Sequence, residues 1–289
     1  MKKVIFLVLT MMLSLSAIES REGLYNNISL EDDNNVTKAT IKQYVNSSFN
    51  VSAHQANYFL PFSYRFQDNY IDPENHHSDD PSKQLETEFQ VSIKFDLGSN
   101  IIGLNEIYTV AYTQKSFWQL YSDRSAYFRE SNYNPEFFIT FPLRVSESTS
   151  GIRGVRLGVA HQSNGLGLPY ERSWNYFYTD LYIQMGFLFV DLKAWYAPPG
   201  SLEKYNPDLL DYLGHGHLRF VIPYEKHVLE ATFMSAFNGH SSAEAHYSYP
   251  IFGRDDMFLY LKGFMGYGES LIEYDTKISK VGLGFSISR

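Results

Sequence analysis

The segment "AHQSNGLGLPYERSWN", residues 160–175, sets His161 and Ser163 two positions apart and Asn175 twelve beyond the serine. Those residue types can do chemistry together. A serine hydroxyl is a poor nucleophile until a neighbouring base takes its proton, and an imidazole base works when a third group fixes its tautomer. His161 would be the base, Ser163 the nucleophile and Asn175 the orienting group. A plainer reading also fits: "HQSNG" marks a strand entering a turn, with His161 and Asn175 as polar residues at an interface. No serine sits in a G-x-S-x-G setting, so the strand-to-helix elbow of the α/β-hydrolases is excluded.

The flanks of the segment show what must position these groups. Val155, Leu157 and Val159 alternate with Gly154, Arg156 and Gly158, and Phe177, Leu181 and Ile183 alternate with Tyr176, Tyr178, Asp180 and Tyr182. Period two marks strands with one apolar face. Residues i and i+2 of a strand share a face about 6.5 to 7 Å apart. His161 and Ser163 therefore continue the apolar face of one strand, and Asn175 begins that of the next. A hairpin closed through "NGLGLPYERS" would bring all three onto one wall.

The same period recurs along the chain. "ETEFQVSIKFDLG" (86–98) sets Phe89, Val91, Ile93, Phe95 and Leu97 against polar neighbours. Comparable segments occupy 54–65, 105–120, 135–145, 151–163, 172–187, 189–197, 216–224, 227–237, 242–252, 257–266 and 280–288, separated by turn-prone stretches such as "SESTSG" and "NGHSSAE". The strands are longer than those of soluble sheets, roughly five or six residues, and long enough for tilted membrane strands. The expectation is an all-β fold, a transmembrane antiparallel β-barrel of about twelve strands over 54–289.

Composition agrees. Aromatics make up 17% of the 289 residues, with 23 Tyr and 22 Phe, yet the mean hydropathy is only −0.28. A barrel reconciles the two, because lumen-facing polar residues offset a lipid-facing apolar band flanked by aromatic girdles. The absence of cysteine removes disulfides and thiol catalysis. A net charge of −8 argues against a nucleic-acid partner, which requires clustered Lys and Arg. Residues 1–20, "MKKVIFLVLTMMLSLSAIES", have the layout of a secretory signal peptide, and 21–53 read as a polar, Asn-rich extension. The chain ends "GFSISR", with Phe285 four residues from the terminus, whereas such barrels commonly finish on an aromatic. "GHGH" places His215 and His217 on one strand face, where a role facing the lumen or an aromatic girdle outweighs metal ligation.

The H-x-S-N-G segment followed by "RSWN", with "YTQKSFWQLY", "FRESNYNPE" and "GYGESLIEY" in order, resembles the outer membrane phospholipase A family from about Asn57 to the C-terminus. The resemblance implies a twelve-stranded barrel in the bacterial outer membrane. It implies hydrolysis of acyl esters of phospholipids and lysophospholipids (A1/A2 type) from the outer leaflet, with Ca2+ as cofactor and activation by homodimerisation. By position, His161, Ser163 and Asn175 match the family's triad, and the Gly165 N–H matches its oxyanion donor. The Ser125 hydroxyl and Leu166 carbonyl match calcium ligands. Glu171 stands where the family has a ligating serine, and a carboxylate is a normal calcium ligand. Leu168 replaces an acidic residue of a second calcium site. Gln114 matches a residue that hydrogen-bonds across the dimer interface. The alternative function is a non-catalytic, porin-like channel that kept the barrel without the chemistry.

Overall fold

The structure, a computed structural model, describes residues 51–67, 82–123, 127–143, 150–202, 204–254 and 256–289. The expected signal peptide, the extension up to residue 50 and Ser125 lie outside the described residues. Among the described residues the regular structure is almost entirely antiparallel strand. The elements are β1 (Val51–Ala53), β2 (Tyr58–Arg65), β3 (Leu85–Ser99), β4 (Ile107–Trp118), β5 (Phe128–Pro142), β6 (Ser150–Ser163) and β7 (Ser173–Met185). They continue with β8 (Leu188–Tyr196), a short helix α1 (Leu210–Leu213), β9 (Gly216–Tyr224), β10 (His227–Ser235), β11 (Ser241–Pro250), β12 (Phe258–Gly266) and β13 (Ile278–Ser286).

Each strand from β2 to β13 pairs with its neighbours in sequence, and β13 returns to β2 through Phe285↔Phe59 and Lys280↔Arg65. Among the described residues, twelve strands thus close into a barrel without a free edge, the arrangement that satisfies every backbone donor and acceptor in hydrocarbon. The three-residue β1 lies against β3 beyond the end of β2, with Val51 opposite Phe95.

The two faces are sorted opposite to a soluble protein. Ile93, Phe95 and Leu97 of β3, Leu157 and Val159 of β6, and Leu261 and Met265 of β12 are exposed, while Arg65, Glu86, Glu88, Arg129, Lys262 and Lys280 are buried. Only a lipid-facing outer wall accounts for that inversion. Inside, the charges pair. Arg129 donates to both oxygens of Glu86 at 3.1 Å and to Glu273 at 2.9 Å. Arg65 donates to both oxygens of Glu273 at 2.8 Å. Lys280 bridges Glu86 (2.8 Å) and Glu88 (3.0 Å), and Lys262 bridges Glu88 (2.6 Å) and Glu269 (2.9 Å). Glu269 and Glu273 belong to the segment 267–277, whose Leu271, Ile272 and Tyr274 are buried as well. The lumen is occupied by paired side chains, unlike the open interior of a porin.

The ends of the barrel differ. At one, residues 186–187 suffice to join β7 to β8, and 225–226 to join β9 to β10. At the other, longer segments follow β8 and β12, spanning 197–215 and 267–277, and the loop 164–172 joins β6 to β7. Short periplasmic turns and long extracellular loops are the usual asymmetry of outer-membrane barrels.

Candidate active site

The β6–β7 hairpin sets Ser163 opposite Ser173, His161 opposite Asn175 and Val159 opposite Phe177. The residues between them, Ala160, Trp174 and Tyr176, are buried inward, whereas Val159 and Phe177 are 42% and 55% exposed. The alternation therefore carries His161, Ser163 and Asn175 to the outer, lipid-facing wall, next to the loop that joins the two strands. His161 Nδ1 lies 2.9 Å from Asn175 Oδ1. An amide oxygen only accepts, so the imidazole donates through Nδ1–H and its Nε2 lone pair is left to act as base. Ser163 shares this face two positions on. Among the described residues no hydrogen bond joins its hydroxyl to the ring, and catalytic contacts of this kind commonly tighten when substrate binds.

The loop 164–172 is built around one buried side chain. Asn164 donates from Nδ2 to the Tyr170 carbonyl (2.9 Å) and accepts at Oδ1 from the N–H groups of Leu166 (3.3 Å) and Arg172 (3.0 Å). Arg172 Nη1 ties down the carbonyls of Pro169 (3.2 Å) and Glu171 (2.8 Å). Gly165 has φ +67°, and a Cβ there would stand 2.9 Å from the Tyr133 ring. Only glycine combines that backbone with the close approach. Its N–H lies two residues past Ser163, in the turn that leaves β6.

The expected calcium ligands divide. Leu166 and Glu171 both sit in this loop, and a carbonyl with a carboxylate suits a hard divalent cation that takes oxygen ligands. Ser125 lies outside the described residues. Among the described residues no three His, Cys, Asp or Glu side chains converge as a metal cluster. His217, the other candidate ligand, stands 3.9 Å from Asp191 and edge-on to Trp195.

Gln114 falls in the same row as Ser163: it pairs with Tyr133, which pairs with Ser163. It accepts from the Tyr112 hydroxyl (3.0 Å) and donates to Ser116 Oγ (3.1 Å), which lies 2.8 Å from Ser131 Oγ. A polar row thus crosses the outer face of β4 and β5 toward the site. Sequence reasoning did not single out Tyr133, Asn134, Gln162 or the buried Asn164. The signal that could have found the first two is the Asn-Pro pair in "SNYNPE", since proline inside a membrane strand removes a ladder donor.

Comparison with known proteins agrees with this architecture. The family model described as phospholipase A1 matches residues 34–287. The chain is 34% identical to phospholipase A1 of Proteus vulgaris over 252 residues, 86% of each protein. It is 37% identical to phospholipase A1 of Escherichia coli over 209 residues, 72% of this chain and 71% of that one. The solved outer membrane phospholipase A of Escherichia coli superposes with a TM-score of 0.75 at 33% identity, covering 83% of this chain and 99% of that chain. The calcium-bound dimer of the Salmonella typhi outer membrane phospholipase superposes at 0.77 with 32% identity, covering 84% and 94%. The matched family model, these relatives and the shared twelve-stranded barrel place the chain in the outer membrane phospholipase A family.

Proposed function

We propose that the chain is an outer-membrane serine esterase that cleaves acyl esters of phospholipids and lysophospholipids, of A1 and A2 type, at the lipid-facing site formed by His161, Ser163 and Asn175. The observation that carries this reading is the 2.9 Å contact between His161 Nδ1 and Asn175 on a wall that looks into hydrocarbon. Ser163 Oγ attacks the ester carbonyl carbon while His161 Nε2 takes the hydroxyl proton. The acyl oxygen, now negative, accepts from the Gly165 N–H. The tetrahedral adduct collapses, the glycerol oxygen leaves with the proton from Nε2, and an acyl-serine remains. Water then repeats the sequence with His161 again as base and releases the fatty acid. Asn175 holds the imidazole in the productive tautomer throughout.

Ser125, Leu166 and Glu171 are the residues that would hold Ca2+, which when bound supplies positive charge beside the developing oxyanion. The relatives' calcium-bound dimer supports the same assembly here. The polar row through Gln114 supplies a physical motive, because hydrogen-bonding groups on a lipid face are better satisfied against a second copy of the chain than against acyl tails. Facing copies would enclose apolar clefts for the substrate chains. The long loops flanking the site orient it to the outer leaflet. Among the described residues, the paired charges that fill the lumen weigh against the porin-like alternative.

The test is fatty-acid release from phospholipid mixed micelles. The wild type should turn over with calcium and not after chelation, and folded Ser163→Ala should release nothing in either condition. Full calcium-dependent release by Ser163→Ala would refute the assignment.

A further inference from the structure

The motif "FRESNYNPE" is not accounted for by the residues assigned so far. Its centre, Tyr133, Asn134 and Pro135, lies on β5 directly beside the catalytic end of β6. The β5–β6 ladder runs Tyr133↔Ser163 and then Glu136↔Ala160, with no pairing in between. That register puts Pro135 opposite His161. In an antiparallel ladder, a residue whose carbonyl points at the neighbouring strand receives the N–H of the residue opposite. The His161 carbonyl points at β5, because it accepts from the Asn134 side chain at 2.8 Å. The donor that should have served it belongs to position 135, where proline has none.

We infer that Asn134 is a positioning residue for His161: its amide replaces the ladder bond that Pro135 cannot make and fixes the backbone from which the imidazole projects. The assignment rests on the reading of His161 and Ser163 under Proposed function. Asn134 is itself held, since its Oδ1 accepts from the Tyr176 hydroxyl at 3.3 Å. It works from the lumen side, at the wall of a polar cavity of about 180 Å³ shared with Gln162, Asn132, Lys115 and Tyr274. Gln162, the residue after the histidine, accepts from Trp174 Nε1 at 2.8 Å. The strand is thereby gripped from inside at both positions while its reactive side chains face lipid. A loose carbonyl at 161 would let the ring swing, and displacements near 1 Å at a reacting group cost on the order of 10²-fold in rate.

Because Asn134 borders a cavity, its replacement leaves no overpacked core. Asn134→Leu keeps the volume and removes the donor. Its kcat should fall roughly 10- to 100-fold, with the apparent KM for micellar phospholipid unchanged, and covalent labelling of Ser163 by a long-chain alkyl sulfonyl fluoride should slow in parallel. Adding Pro135→Ala to Asn134→Leu restores a backbone N–H opposite His161 and should recover most of both rates. If Asn134→Leu does not fold, Asn134→Asp, which also lacks the donor, is read by the same two rates. Wild-type kcat and labelling in the variant, a loss confined to KM, or a double variant with no recovery would each overturn the inference. Ser163→Ala is the control that separates the two readings. Turnover that survives it removes the nucleophile, whereas an inactive Ser163→Ala beside a fully active Asn134→Leu removes only the role of Asn134.

Discussion

In the proposed mechanism His161 and Asn175 serve the same proton transfer with unequal weight. The imidazole is the base in that mechanism, so His161→Ala should reduce turnover to background. The amide only orients it, and Asn175→Ala should lose about 10²-fold in kcat, the scale of a misaligned reacting group; equal loss from both variants would contradict that ranking. Asn175→Asp keeps an acceptor for Nδ1–H and should retain more activity than Asn175→Ala in the same micelle assay. At position 171 the account predicts that Glu171→Gln raises the calcium needed for half-maximal activity roughly tenfold, since ligand charge tunes such sites over decades. An unchanged calcium titration would take Glu171 out of the site. The facing of the triad was legible from period two alone. The contact partners were less so: only the Asn-Pro pair hinted at Tyr133 and Asn134, and the bonds of Asn164 depend on a loop geometry that a single sequence does not display.

At the scale of the element, the hairpin that carries the site is braced across its strands. Gly158 lies opposite Tyr178, and a Cβ at 158 would stand 2.3 Å from the tyrosine ring. The ring covers the glycine and reaches Glu136 at 2.5 Å, whose other oxygen meets His54 at 2.8 Å. Gly158→Ala should therefore displace Tyr178 and lower stability by about 1 to 3 kcal/mol, the cost of overpacking, measured as an earlier urea midpoint in micelles. An unshifted midpoint would show that the ring is free to move. Strands with clean alternation were readable almost to the residue: 216–224 coincides with β9, and 151–163 begins one residue inside β6. β5 was read as starting at 135 yet begins at Phe128. Its first half, "FRESNYN", is polar on both faces: Glu130 and Asn132 face the lumen, while Ser131 and Tyr133 join the polar row outside. Without an apolar face the period has nothing to mark. Phe285 pairs with Phe59 where β13 meets β2 and closes the ring.

For the whole molecule, the lumen carries the buried ion pairs while the proposed site lies on the outer wall. Glu86 pairs with both Arg129 and Lys280 in the buried interior. Removing it takes their shared carboxylate away and leaves Arg129 to Glu273 and Lys280 to Glu88, and Glu86→Ala should cost roughly 3 to 5 kcal/mol. The loss should appear in unfolding of the detergent-solubilised barrel rather than in the KM of any variant that still folds. The register of this network was hidden in the sequence, since alternation shows that a face is polar and not which charges meet across the barrel. At the same scale, the paired ions of the lumen weigh against the channel alternative, and membership of the phospholipase family supports the enzyme.

The central claim is that an activated serine faces hydrocarbon. Its most direct test is mass-spectrometric mapping of the barrel, embedded in phospholipid vesicles with calcium, after exposure to a membrane-partitioning alkyl sulfonyl fluoride. The account predicts one adduct, on Ser163, that disappears in folded His161→Ala. Persistent lipid hydrolysis with Ser163 unmodified, or an adduct on another serine that tracks the loss of activity, would contradict it.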